Sequence, residues 1–139
     1  MSVRIYLDTN IYLDYCEKRS DGIRPLQELA FSIFRRTLEC EFEIAISNFV
    51  IKEIKNSKSS KEAKIIMDCL FSELKAKKKV VYFEEKYEEV SRAKSYENWK
   101  DALHAIVARR VKCTCIVTRN ISDFLEFSDI LEPKLPEQL

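Results

Sequence analysis

One glycine, Gly22, and one histidine, His104, stand in 139 residues. With a single glycine neither a Walker A loop nor a GxGxxG turn can be written, so nucleotide-phosphate binding of those kinds is excluded. With a single histidine neither an HExxH zinc peptidase nor a His-rich metal centre can be built. No apolar run approaches the roughly 20 residues of a membrane-spanning helix. The five cysteines, Cys16, Cys40, Cys69, Cys113 and Cys115, are odd in number and form no CxxC pair. They read as reduced, mostly buried thiols of a cytoplasmic protein. Cys113 and Cys115 lie two apart on a predicted strand, where they share a face but are poorly placed to bond each other or to hold zinc. An excess of one charge is missing too. Twenty-four Lys and Arg against 23 Asp and Glu leave a net charge of +1, which argues against a protein that coats nucleic acid.

What is there is carboxylate, hydroxyl and a sizeable apolar fraction. A hydrophobic share of 46% with 34% charged residues describes a folded globular chain, read as one domain over residues 1–139. The N-terminal residues run straight into a first strand, which predicts no signal peptide. An active site in such a chain would be built from acids.

The stretch at residues 5–13 organises the rest. Residues 3–7 form an apolar run that reads as a short buried strand. It stops in Asp8-Thr9-Asn10, after which apolar residues resume at helical spacing (Ile11, Leu13, Tyr15). Asp8 or Thr9 can cap that helix. A strand that ends in a carboxylate and turns into a helix puts the acid at the C-terminal edge of a sheet, where open α/β sheets bind ligands.

Beyond a polar loop at residues 17–24, Leu26, Leu29, Ala30, Ile33, Phe34 and Leu38 mark an amphipathic helix reaching about residue 40. A second strand follows at 42–46, then a helix capped by Ser47 or Asn48, with Val50, Ile51 and Ile54 inward and Glu53 between lysines. The helix at 61–77 is expected to bury Ile65, Ile66, Cys69, Leu70 and Leu74. A third strand at 80–83 leads to an acidic helical piece at 84–94. The helix at 98–111 carries Asp101 in its first turn, where the dipole favours an acid. His104 reads as a partly buried residue of that helix rather than as a catalyst. The fourth strand, 115–117, runs into Thr118-Arg119-Asn120-Ile121-Ser122-Asp123-Phe124 and repeats the pattern of Asp8. Ile130 and Leu131 are expected to form a short fifth strand, and the tail at Pro136 to fray. Strands alternating with helices predict an α/β domain with a mainly parallel sheet, all strand C-termini lying on one edge.

This ordered set resembles the PIN domain, and in size the single-domain ribonuclease toxins of the VapC type. The residues that carry the resemblance are Leu7-Asp8-Thr9-Asn10, Glu53, Asp101-Ala102-Leu103-His104-Ala105 and the segment from Val117 to Phe124, across about residues 3–131. The resemblance implies a PIN-like three-layer sandwich with a central, mainly parallel sheet of about five strands flanked by helices. It implies an acidic pocket for Mg²⁺ or Mn²⁺ formed by Asp8, Glu53, Asp101 and a fourth position after Thr118. That position is often Asp two residues after the threonine; here it is Asn120, and Asp123 can take the part instead. Thr9, Asn10, Thr118 and Asn120 would support these groups, with capping the preferred use of Thr9. The implied activity is metal-dependent cleavage of single-stranded or looped RNA, with an antitoxin protein as partner and a homodimer as assembly. Lys52, Lys55, Lys58, Lys61 and Lys64, with Arg109, Arg110, Lys112 and Arg119, are available to steer RNA. The alternatives are a PIN-fold RNA-binding or assembly module without catalysis and, more remotely, a phosphatase of the haloacid-dehalogenase type. That chemistry wants a second carboxylate two residues after the first, where this chain has Asn10.

Overall fold

The computed structural model describes residues 3–20 and 22–139. Five strands build one sheet in the order β3-β2-β1-β4-β5, with every neighbouring pair parallel. They are β1 (Val3–Leu7), β2 (Phe42–Ser47), β3 (Val80–Phe83), β4 (Ile116–Val117) and β5 (Pro133–Lys134). Among the described residues six α-helices connect them: α1 (Thr9–Cys16), α2 (Leu26–Leu38), α3 (Asn48–Asn56), α4 (Lys61–Ala76), α5 (Tyr87–Ala93) and α6 (Trp99–Arg110).

The central strand explains the layering. Ile5, Tyr6 and Leu7 are each at most 1% exposed. Successive side chains of a strand point to opposite faces, so both faces of β1 are covered, as parallel sheets require. α1 packs on α2, α3 and α4, while α5 packs on α6. From β1 the chain lays β2 and β3 to one side and later β4 and β5 to the other. The order therefore reverses between β1 and β4, and the crevice beyond their C-terminal ends is the usual ligand position in such sheets.

Scarcity of glycine shows in the helix ends. Lys18, Cys40, Lys78 and Lys112 follow α1, α2, α4 and α6 with φ of 54°, 71°, 57° and 64°. Each left-handed residue costs on the order of 1 kcal/mol when it is not glycine. The cost is offset by closing bonds that satisfy terminal carbonyls, such as Lys79 N–H to Leu74 O and Cys113 N–H to Ala108 O, both within 3.0 Å.

Several expectations need correction. The fifth strand is Pro133–Lys134, not Ile130–Leu131: Ile130 is buried from a turn, its N–H bonded to Phe127 O at 2.8 Å. Pro133, lacking an N–H, is tolerated because β5 is an edge strand. The tail does not fray. Pro136 is buried in a 3₁₀ turn against α2, Arg36 donates to Leu139 O, and Arg24 pairs with Glu137 at 2.9 Å. The buried stripe of α4 is Ala63, Met67, Leu70 and Leu74, whereas Ile65 is 62% exposed and Cys69 is exposed. Both stripes have helical spacing, and the small Ala63 and the pliable Met67 are the ones that fit the space beside Cys16 and Ile54. The acidic piece is helical only from Tyr87 to Ala93. Cys16, Cys113 and Cys115 are buried as expected, but Cys40 is exposed like Cys69. Among the described residues no helix is long and apolar enough to cross a membrane.

Candidate active site

Asp8 leaves the C-terminal end of β1 at the point where the sheet order reverses. Its N–H reaches across to Val117 O at 2.9 Å, continuing the β1–β4 pairing by one residue. Its backbone carbonyl starts α1 by accepting from Ile11 N–H, but its side chain caps nothing. That carboxylate accepts instead from Thr118 Oγ1 at 3.1 Å, and Thr118 Oγ1 in turn accepts from Asn120 N–H. Asp8 is 6% exposed. Burial lifts its carboxyl from the ordinary 3.8 to about 6; the charges of Asp101 and Glu53 push the same way, against the pull of His104 and the Thr118 bond. A positive charge beside an acid so held would favour its ionised form.

Glu53 reaches the site from α3. It looked like a solvated residue between Lys52 and Lys55, yet its Oε1 accepts from Thr9 Oγ1 at 2.7 Å and meets His104 Nε2 at 2.8 Å. Thr9 therefore does not cap α1; its hydroxyl serves Glu53. Burial pushes the Glu53 carboxyl up, but the bonds from His104 and Thr9 and the charge of Lys100 together bring it below the ordinary carboxylate range.

Asp101 comes from the first turn of α6. Asn98, at the N-cap, donates from Nδ2 to Asp101 Oδ2 at 2.7 Å and also to Asp123 O at 3.3 Å. Burial raises the Asp101 carboxyl, with the charges of Asp123 and Glu53 adding to it, against the Asn98 bond. Asp123 is exposed in a 3₁₀ turn, Ile121–Asp123. Of the two residues weighed for the fourth position, Asp123 is the one whose charge acts on Asp101, while Asn120 is tied by its backbone to Thr118. The amide oxygen of Asn10 accepts from Arg19 Nη1 at 3.2 Å. So Asp8, Glu53 and Asp101 face one another electrostatically, with Asp123 at the rim.

Two residues missed in the sequence complete the arrangement. His104 is 1% exposed, so it is fully rather than partly buried, and it bridges Glu53 to Tyr6. Asn98 joins Asp101 to the loop after β4. His104 had a signal: it lies three residues after Asp101, on the same face of α6.

Of the basic residues named for steering RNA, the three arginines are engaged. Arg110 pairs with Glu89 at 2.8 Å, Arg109 donates to Ile130 O, and Arg119 sits on the buried Asp14 at 3.0 Å. Among the described residues no three His, Cys, Asp or Glu side chains converge closely enough to enclose a cation unaided.

No family model matches the sequence, and no curated protein matches it either. Solved structures do match along nearly the whole chain. The structure of VapBC2 from Rickettsia felis, bound to a DNA fragment from their promoter, aligns with a TM-score of 0.65 at 17% identity, covering 96% of this chain and 98% of that one. FitAcB from Neisseria gonorrhoeae gives 0.61 at 19% identity, with coverages of 97% and 99%. FitAB bound to an IR36 DNA fragment gives 0.57 at 18%, with 97% and 96%. At these identities the likeness is one of fold: a PIN-like α/β sandwich with a five-stranded parallel sheet and six flanking helices.

Proposed function

We propose that this chain is an endoribonuclease that hydrolyses RNA phosphodiesters with the help of Mg²⁺ or Mn²⁺, acting as a toxin of the VapC type. The observation that carries the reading is the electrostatic one. Asp8 and Asp101 are both raised by burial and by the other acids at the sheet's reversal point, which is an unfavourable state for the protein alone. The donor set fits the proposed ion. Its oxygens are hard, and Mg²⁺ keeps several waters and needs only one or two carboxylates, so three converging ligands are not required.

In this reading Asp8 and Asp101 hold the cation directly, and Glu53 and Asp123 bind it or orient the attacking water. Thr118 fixes the Asp8 carboxylate, Thr9 fixes that of Glu53, and Asn120 steadies Thr118. Asn10, whose amide oxygen accepts from Arg19, would support the start of α1 beside these groups. A bound divalent ion supplies a more acidic water and offsets charge growing on the phosphodiester. The ionised Glu53 would be suited to accept a proton from an attacking water. The toxin reading is supported by the likeness in fold to the VapBC2, FitAcB and FitAB structures. It adds an antitoxin that covers the pocket and a homodimer as the working assembly.

The test incubates the purified chain with a mixed structured RNA in Mg²⁺, in Mn²⁺ and in chelator. Cleavage is expected with either ion and none in chelator. Absence of cleavage in every condition, together with RNA binding, would favour the non-catalytic RNA-binding module instead.

A further inference from the structure

The buried chain of groups behind Glu53 points to a role for His104 that the acids alone do not reveal. Tyr6 and Ser47 lie on one face of the sheet: Tyr6 on β1 is paired with Ala45 on β2, and Ser47 stands two residues further on. Tyr6 OH is 2.7 Å from Ser47 Oγ and 2.6 Å from His104 Nδ1. Ser47 Oγ also accepts from Val50 N–H at 3.1 Å, as the N-cap of α3. His104 Nε2 lies 2.8 Å from Glu53 Oε1. Tyr6 is 1%, Ser47 1% and His104 1% exposed, so water cannot substitute for any of these partners. The imidazole is walled by Phe49, whose ring centroid is 5.1 Å away.

Donor accounting orients the chain. An ionised Glu53 has only acceptors, so His104 Nε2 must carry its proton toward Oε1. The phenol of Tyr6, kept protonated by burial, then donates to Nδ1 and accepts from Ser47. Thr9 and His104 both take Oε1. Among the described residues Oε2 accepts no hydrogen bond, and that oxygen is left for the cleft.

We infer that His104, held by Tyr6 as the Nε2–H tautomer, is a positioning residue that locks Glu53 by Oε1 and presents Oε2 to the reacting centre. The inference rests on the proposed nuclease reading for what Oε2 meets. The orientation of the ring does not depend on it.

His104 is the only histidine of the sequence, so ring-¹⁵N-histidine labelling of the tag-free, metal-free chain gives one unambiguous pair of nitrogen signals. The expected spectrum shows Nε2 protonated and Nδ1 as a hydrogen-bonded acceptor. In Tyr6→Phe the Nδ1 signal should move and the tautomer become mixed. RNA cleavage by that variant should fall about tenfold in kcat with KM unchanged, the effect of losing a group that orients a ligand. His104→Gln, which keeps a donor near Nε2, should retain most activity, whereas the similarly sized His104→Leu should lose it; this pair covers the case in which Tyr6→Phe fails to fold. A protonated Nδ1 in the wild type overturns the inference, and so does Tyr6→Phe or His104→Leu with unchanged kcat. A wild type that cleaves no RNA would defeat the nuclease reading, while the ring spectrum would still decide the orientation of His104.

Discussion

Asp8→Asn is expected to abolish RNA cleavage and at the same time to make the metal-free protein more stable at pH 7. In the proposed function the loss of activity follows from removing a charged group that would hold the ion offsetting phosphodiester charge. An effect of several kcal/mol on the barrier corresponds to at least about a hundredfold in kcat. The gain in stability follows from the position of the same carboxyl. Folding raises it from 3.8 to about 6, so the folded state holds this proton more tightly than the unfolded chain does. The stability that Asp8 contributes is complete below the ordinary value of 3.8 and is lost as the pH rises through 6. At pH 7 the deficit is about 3 kcal/mol at 1.36 kcal/mol per pH unit. Asparagine carries no such penalty, and its amide oxygen can still accept from Thr118. Denaturant melts at pH 7 and pH 4 check this: the variant should be the more stable at pH 7, with the difference fading at pH 4. Equal stability at both pH values would mean that Asp8 is not a strained acid.

The second large effect is purely structural. Asp14→Ala is expected to cost about 3–5 kcal/mol, the range for removing one partner from a buried ion pair. Asp14 is 1% exposed on α1, with Arg119 Nε at 3.0 Å and Arg19 Nη1 at 3.5 Å. Burial raises the Asp14 carboxyl despite both arginines, which measures how dry this spot is. Arg119 Nε is itself buried and finds no hydrogen bond of good geometry, so the carboxylate charge is what compensates it. Arg119 follows Thr118, the residue that holds Asp8. Loss of Asp14 should therefore also loosen the loop after β4 and weaken cleavage beyond what the melt explains. A loss below about 1 kcal/mol, as for an exposed pair, would contradict the assignment.

The sheet was legible because four of its strands are apolar runs ended by polar residues, and Asp8 and Thr118 stand at two such endings. Asp101 was legible as a first-turn acid. Glu53 was not, since lysines on both sides gave it the look of a solvated position, and only resemblance singled it out. Its true environment comes from Thr9 and His104, which lie 44 and 51 residues away in the chain. Tyr6 and His104 read as packing residues for the same reason: a hydrogen bond between residues 98 apart leaves no periodic trace. Spacing did hold a hint, because Tyr6 is two residues before Asp8 on one strand face and His104 is three after Asp101 on one helix face. The stripe of α4 and the site of β5 were missed where local pattern allowed two registers and tertiary contact chose between them.

The central claim is that the acids at the β1–β4 crevice hold a divalent cation, and a calorimetric titration of Mn²⁺ into the tag-free chain at pH 7 tests it most directly. The account predicts saturable binding by the wild type that is lost in both Asp8→Asn and Asp101→Asn. No binding by the wild type, or equal binding by all three proteins, would contradict it.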